Sequence, residues 1–505
     1  MKYVLSSRLM SCRWVFFVGY LRSNWKSSLC LDVAALSKRQ FVLEKFLISL
    51  LVSVLIAPVA YSGDLISSLD LASSHDPVLQ SAGYSHQISL TRIPQAQAAF
   101  RPSVSLSSQN NISRGSYSFS GNEPTNRPVR SNSQTLQLTQ ALYRPVALHA
   151  LVQAELQAVQ SLALLHQAEQ DLMQRLLQAY VEMQVVNNQQ EVARAQLSTQ
   201  VLQLEVARRG LLLGLKTLPE VYEAQSKLAS AQSQIVDVTS QLRFRRFELL
   251  RVTGESSLEG VSQWNVLSDS FALLVWADQV SQKPIDFWLE QARLDAPAVR
   301  AQMASLEIAE REVQKNRASH LPTVDLTVSR VRNSSSGNVT SAQNFDSFST
   351  VNQLGVQITL PLYAGGSVSA RVREAVSALE KAQFDLEASQ LLAQSNVAQS
   401  FETVVSAKFQ IETLQVAIDA AQLALTSNVT GVRLGTRTPL DVLTSEQQLA
   451  LVRRDWRKAR YDLAFQVVKL KASAGLLDRA DLVSLNQGFK SKLSESGQSL
   501  DVVRP

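Results

Sequence analysis

The chain alternates between two hydrophobic periods, and the changes of period fall at prolines. Residues 64–100 and 286–320 place apolar side chains at helical spacing, and the two stretches run into "FRPSV" and "HLPTV". Proline disfavours helix in the residue before it and tolerates a strand start, so the period should change there. It does. "TVDLTVSR" sets Val324, Leu326 and Val328 on one face and Thr323, Asp325 and Thr327 on the other. "QLGVQITLPLY" sets Leu354, Val356, Ile358, Leu360 and Leu362 against Gln353, Gly355, Gln357 and Thr359. The first half repeats this more weakly, with Val104 and Leu106, then Leu136, Leu138 and Leu142. Ser/Asn/Gly-rich segments at 113–133 and 333–350 read as exposed hairpin loops. That leaves strands of about ten residues, the length of a membrane-barrel strand.

Between these hairpins the pattern is monotonous helix. From Pro145 to Leu213, and from Ala364 to about Thr430, there is almost no breaker. Each run would make roughly 100 Å of helix at 1.5 Å per residue. The stretches 219–253 and 440–475 are about half as long, like 64–100 and 286–320, so two short helices stacked end to end would match one long one. A compact domain has no use for such a helix; a cylinder of side-by-side helices does. The strands alone fit either a membrane barrel or ordinary hairpins packed on helices, and the helix lengths favour the barrel. Four strands cannot close one, because membrane barrels need at least about eight. Open edges in lipid would leave backbone groups unpaired. The strands must be pooled between copies of the chain.

The sequence is also a tandem duplication. Pro77 matches Pro297, Pro102 matches Pro322 and Tyr143 matches Tyr363 at one offset; one residue further on, Tyr180 matches Phe401, Gly214 matches Gly435, Glu220 matches Asp441 and Gly254 matches Gly475. The expected organisation is a leader at 1–62, a first repeat at 63–254, a linker at 255–285, a second repeat at 286–475 and a polar tail at 476–505. Each repeat carries one distinctive turn, "LLGLKTLPEVY" and "RLGTRTPLDVL".

Charge changes the picture once. The net +6 suggests nucleic acid, but residues 1–62 hold eight of the 49 Lys and Arg and two of the 43 Asp and Glu, leaving 41 of each sign. The body is neutral, and nucleic acid is excluded as a partner. The leader reads as an export signal: Lys45, an apolar run from Phe46 to Ala57, and small residues at Ala60 and Ser62, with cleavage expected after Ser62. Residues 1–40 follow no signal pattern, and no Met occurs between Met10 and Met173, so translation is expected to start near Val42 or Leu43. Cys12 and Cys30 both precede the apolar run, so the mature chain would hold no disulfide, reactive thiol or lipid-bearing cysteine.

Nothing points to catalysis. The histidines at 75, 86, 149, 166 and 320 show no metal spacing, Gly365–Gly366 lacks the further glycines and lysine of a phosphate loop, and no cofactor is implied.

The leader, the duplicated helix–strand–strand–helix–turn–helix unit and four stretches together carry a resemblance. They are "LGTRTPLDVLTSEQQLA", "ARYDLAFQVVKLKASAG", "LTQALYRP" and "ITLPLYAGG". Over roughly residues 64–475 the chain resembles the TolC family of outer-membrane channels, most of all the branch serving type I secretion. The resemblance implies a mixed α/β membrane protein: a homotrimer with a shared twelve-stranded barrel in outer-membrane lipid and a long α-helical tunnel through the periplasm. Tyr143 and Tyr363 would be its membrane-interface aromatics. The two turns would be the periplasmic tips, with Gly214, Thr217, Gly435 and Thr438 docking an adaptor (a membrane fusion protein). An inner-membrane ABC transporter or proton-driven pump would supply the energy. Asp441 takes the place of an acidic ring residue, Arg437 that of the arginine linking the inner hairpin to its neighbour, and Glu220 that of an acidic partner. Thr444 stands where a second acid is common and Val432 where an aromatic often supports the arginine, so a double acidic ring and a fully networked lock are not expected. Competing functions are small-molecule efflux and a pore-less periplasmic coiled coil; the amphipathic strands argue against the second.

Overall fold

The computed structural model describes residues 65–118, 123–254, 266–267, 277–278, 280, 282–337, 345–486 and 489–490. The expected leader and its cleavage point, most of the 255–285 linker and the last fifteen residues lie outside them. The elements are α1 (Leu65–His75), α2 (Pro77–Ala98), β1 (Ser103–Tyr117), β2 (Thr125–Tyr143), α3 (Pro145–Leu212), α4 (Leu218–Thr253) and β3 (Val266–Leu267). They continue with α5 (Ile285–Asp295), α6 (Pro297–Ala318), β4 (Thr323–Ser336), β5 (Ser347–Thr359), α7 (Ser367–Arg433), α8 (Pro439–Ser473), α9 (Arg479–Asn486) and β6 (Phe489–Lys490).

The expected helices at 64–100 and 286–320 are each broken in two. Asp76 and Ala296 precede Pro77 and Pro297 and are extended, with ψ of 115° and 129°. The proline ring excludes helix from the residue before it but suits the first position of the next helix. Asp76 also caps α2, accepting from Val78 N at 2.8 Å, and its buried carboxylate pairs with Arg175 of α3.

Along α3 the partner changes from α4 to α2 without a gap. Gln190 meets Thr239 at 3.2 Å, Glu182 meets Arg245 at 2.7 Å, Arg175 meets Asp76, Ser161 meets His86 at 2.9 Å and Gln157 meets Arg92 at 3.1 Å. At the junction Gly254 (φ +70°) lies so close to His75 that a Cβ would stand 2.6 Å from that side chain. Gly475 (φ +74°) closes α8 in the same way, against the backbone carbonyl of Asp295. The helices therefore lie side by side in the order α2, α3, α6, α7 near the sheet and α4, α3, α8, α7 near the turns.

The main core gathers where α1, α5 and α9 pack on the middle of the long helices. Leu176, Leu177 and Tyr180 of α3 meet Leu65, Trp288, Tyr461 and Leu482 there, all but fully buried. Each buried leucine contributes about 1.5–3 kcal/mol. Within the segment expected as a polar tail, α9 packs on the core: Leu482 and Leu485 are buried, Asn486 accepts from Leu65 N at 3.2 Å, and Asp481 pairs with Lys471 at 2.5 Å. Two apolar positions were enough to dock one helical face.

The sheet has the antiparallel order β1-β2-β4-β5. Its strands, 13 to 19 residues long, outrun the expected ten and take in most of the first presumed loop and both ends of the second. The ladder continues from Asn111↔Ser131 out to Tyr117↔Thr125, because backbone pairing needs no apolar face. Lower down, Val104, Leu138, Val328 and Leu354 form one row across all four strands. Val104 and Leu354 are 65% and 75% exposed, so this apolar face has no covering among the described residues. A bulge between Ala141 and Tyr143 removes Leu142 from the row it was expected to join and sets Tyr143 opposite Val324. Leu360 and Leu362 also miss the sheet, since β5 ends at Thr359. Among the described residues β1 and β5 remain open edges.

Candidate functional site

The two turns are built by one recipe. α3 ends at Gly210–Leu213, where the N–H groups of Leu215 and Lys216 both donate to Gly210 O at 2.8 and 3.1 Å. α7 ends likewise, with Thr436 N and Arg437 N on Gly431 O at 2.9 and 3.2 Å. The Lys216 stem lies over Gly210 and the Arg437 stem over Gly431, each where a Cβ would collide at 2.5 and 2.6 Å. Gly214 and Gly435 hold φ of +72° and +75°, and a Cβ on either would meet nothing. Their left-handed backbone alone calls for glycine, and nothing of this chain's described residues approaches them.

Thr217 and Thr438 are the N-caps of α4 and α8. Glu220 Oε2 accepts from Thr217 N at 2.7 Å and from its hydroxyl at 3.0 Å. Asp441 Oδ2 accepts from Thr438 N at 2.8 Å and from its hydroxyl at 2.9 Å, while Asp441 N donates back to Thr438 Oγ1 at 3.3 Å. This reciprocal box satisfies donors that a helix start leaves free. The local role alone accounts for an acid at the third position of either helix.

The electrostatics of the two turns differ. Glu220 also accepts from Lys216 Nζ at 2.6 Å. That ammonium, then the Thr217 N–H and hydroxyl, pull its carboxyl down to about 2. Asp441 is lowered too, first by the Thr438 N–H, then by its hydroxyl, with the charge of Arg437 the smallest lowering cause. Arg437 itself makes no side-chain hydrogen bond or salt bridge among the described residues. The chain does not bring Arg437 and Glu220 together; Glu220 is held by its own turn. Lys216 is the residue passed over, although the repeat places it at the position of Arg437. Missed as well were the leucines of the first turn: Leu212, Leu213 and Leu215 are 73–86% exposed. Three leucines around a turn glycine, where polar residues are usual, were the available signal.

Behind the turns the difference deepens. Leu204, Ala207, Val221 and Ala224 form a small apolar core that zips α3 to α4. At the equivalent places of the second hairpin Ala207 and Ala224 become Asn428 and Ser445, joined by a 2.6 Å hydrogen bond. Of the two expected interface aromatics, Tyr143 ends β2 within the apolar face, whereas Tyr363 lies beyond β5 and is 88% exposed.

Helix hairpins ending in charged turns, under a sheet with two open edges and an uncovered apolar face, define one share of a composite membrane barrel with a helical extension. The chain belongs to the family of outer membrane efflux proteins: that family's model matches residues 68–255 and again 288–476. It is 26% identical over 435 residues to the alkaline protease secretion protein AprF of Pseudomonas aeruginosa, covering 86% of this chain and 88% of that one. It is 26% identical over 431 residues to the proteases secretion protein PrtF of Dickeya chrysanthemi, covering 85% and 91%. Its fold matches the crystal structure of the outer membrane protein VceC of Vibrio cholerae, with a TM-score of 0.64, 18% identity and coverage of 81% and 96%. This is a TolC-family outer-membrane channel, and the family is one of channels, not enzymes.

Proposed function

We propose that the chain is the outer-membrane duct of a type I secretion system, assembled as a homotrimer. A periplasmic adaptor docks on its turns and an inner-membrane ABC transporter drives a protein substrate through it. The observation carrying this reading is the similarity to AprF and PrtF, two protease secretion proteins, over nearly the whole length of both. Within it, Asp441 forms a three-fold acidic ring at the constriction, and Arg437 supplies the bond to a neighbouring hairpin that biases the duct shut. Docking falls on Gly214–Glu220 and Gly435–Asp441, with the exposed leucines of the first turn as its apolar contact. Deleting the gene tests the assignment. Loss of one or a few large proteins from the culture medium, restored by the wild-type gene, is the expected result. Intact secretion with raised sensitivity to drugs or dyes would instead establish small-molecule efflux. Because Thr217 and Thr438 are caps, the cross-linking probe for the adaptor belongs at Leu215→Cys, which disturbs neither turn.

A further inference from the structure

The apolar face of the sheet turns basic toward the hairpin ends. Residues two apart on a strand share a face, so the row of Val104, Leu138, Val328 and Leu354 can be followed outward. The next row is Leu106, Leu136, Arg330 and Asn352, and the one after it Ser108, Gln134, Arg332 and Thr350. Two rows further Ile112 stands opposite Arg130, and Arg114 lies one row beyond. Four of the five arginines in these strands thus share the apolar face. All four are exposed, and none makes a side-chain hydrogen bond or ion pair among the described residues. The strands contain one acid, Asp325, which Arg144 holds at the opposite end of the sheet.

The helices leave the sheet at that opposite end, so the arginines lie on the side away from the periplasm, at the depth of the outer leaflet. Arginine on a barrel's lipid face is costly in hydrocarbon and tolerated near the interface. Four of them with no acid beside them call for anions from the lipid. Their spacing says which. Arg330 and Arg332 stand about 7 Å apart along β4, and Arg114 and Arg130 lie diagonally across β1 and β2 at about 7–8 Å. From Arg332 to Arg130 the path is one strand over and four residues along, about 14 Å. Guanidinium groups bind phosphate through paired N–H donors. Two arginine pairs at that separation match a headgroup in which a disaccharide carries a phosphate at each end. Phe348 and Ile112, exposed on the same face beside the pairs, offer apolar contact.

We propose that this face binds a phosphorylated glycolipid of the outer leaflet, with Arg330 and Arg332 on one phosphate and Arg114 and Arg130 on the other. Each copy carries its own site.

Native mass spectrometry of the detergent-purified trimer with diphosphoryl lipid A, a glucosamine disaccharide bearing two phosphates, tests this. One lipid per copy is expected, with the dephosphorylated lipid bound roughly tenfold more weakly or worse. Arg330→Ser with Arg332→Ser, and separately Arg114→Ser with Arg130→Ser, should each weaken the diphosphoryl lipid by a similar factor and keep the trimer mass. Arg373→Ser, exposed on α7 outside the sheet, should bind like the parent. Ion selectivity in planar bilayers should not change in the sheet variants, because the arginines face lipid. Equal binding of the two lipids by the parent overturns the site whatever the variants do. Parental binding by either double variant removes that pair and with it the two-phosphate match. Displacement of the lipid by millimolar inorganic phosphate would make this a free-anion site, and altered ion selectivity with parental lipid binding would put the arginines in the lumen; either overturns the proposal.

Discussion

The two hairpins share backbone, caps and turn glycines, yet differ in what fastens them. The first is closed within itself: an apolar zipper of Leu204, Ala207, Val221 and Ala224, and a lysine that occupies Glu220. The second replaces the alanines with the Asn428–Ser445 hydrogen bond and leaves the Arg437 guanidinium without a bonded partner among the described residues. Apolar contacts exclude water and resist sliding. A polar pair exchanges its bond for water at little net loss. On the proposed reading the first hairpin is the fixed one and the second the one that moves, and the duplication shows that their difference lies in side chains alone.

The comparison breaks first at Arg437. On the proposed reading Arg437→Ser should raise single-channel conductance in planar bilayers several-fold, whereas Lys216→Ser, in the closed turn, should leave it nearly unchanged. Equal effects would mean that the turns do not differ in function. Next in size, Asp441→Asn should lower the preference for cations in reversal-potential measurements, with the pore still open. Glu220→Gln should change it less, because Lys216 already neutralises that carboxylate. The ring acts only within a Debye length of about 8 Å, so the difference should fade in 1 M salt.

A third, smaller effect concerns the zipper. Asn428→Ala with Ser445→Ala copies the first hairpin into the second. Removing both partners of a half-buried hydrogen bond is nearly neutral or stabilising, so the melting temperature should hold or rise slightly while opening events become rarer. A marked fall in melting temperature would contradict this.

The smallest effect is that of pH. Both carboxyls are depressed in the folded chain, so their contribution is complete above the unfolded value and is lost as pH falls through the folded one. For Glu220 that window runs from about 4.5 down to about 2. For Asp441 it opens just below 3.8. Protection of the Thr217 and Thr438 amides, read as exchange relative to the intrinsic rate at each pH, should hold at pH 5 and fall as each carboxyl is protonated.

Much of this was legible in the sequence, for a physical reason: breakers are absent from α3 and α7, and period-two alternation survives in β4 and β5. What was not legible depended on partners. Pro77 and Pro297 are the exception: the rule that ends a helix before Pro102 and Pro322 places a break there too, and Asp76 and Ala296 are extended. The strand ends are polar, and polar residues carry no periodic signal; only the ladder to Tyr117 and Ser336 reveals them. The bulge that exchanges Leu142 for Tyr143 exists only against β4. At the turns, the acids were found by pattern, yet their bonds to Thr217 and Thr438 were masked by reading them as charge alone. Lys216 was one offset away from Arg437.

The glycine-closed junctions have a mechanical consequence. α3 and α7 are continuous rods, while α4 abuts α1 where Gly254 meets His75, and α8 abuts α5 where Gly475 meets the Asp295 carbonyl. No covalent bond crosses either splice. A twist applied at the turns therefore has a continuous backbone path to the sheet through α3 and α7 alone; along α4 and α8 it must pass through side-chain packing.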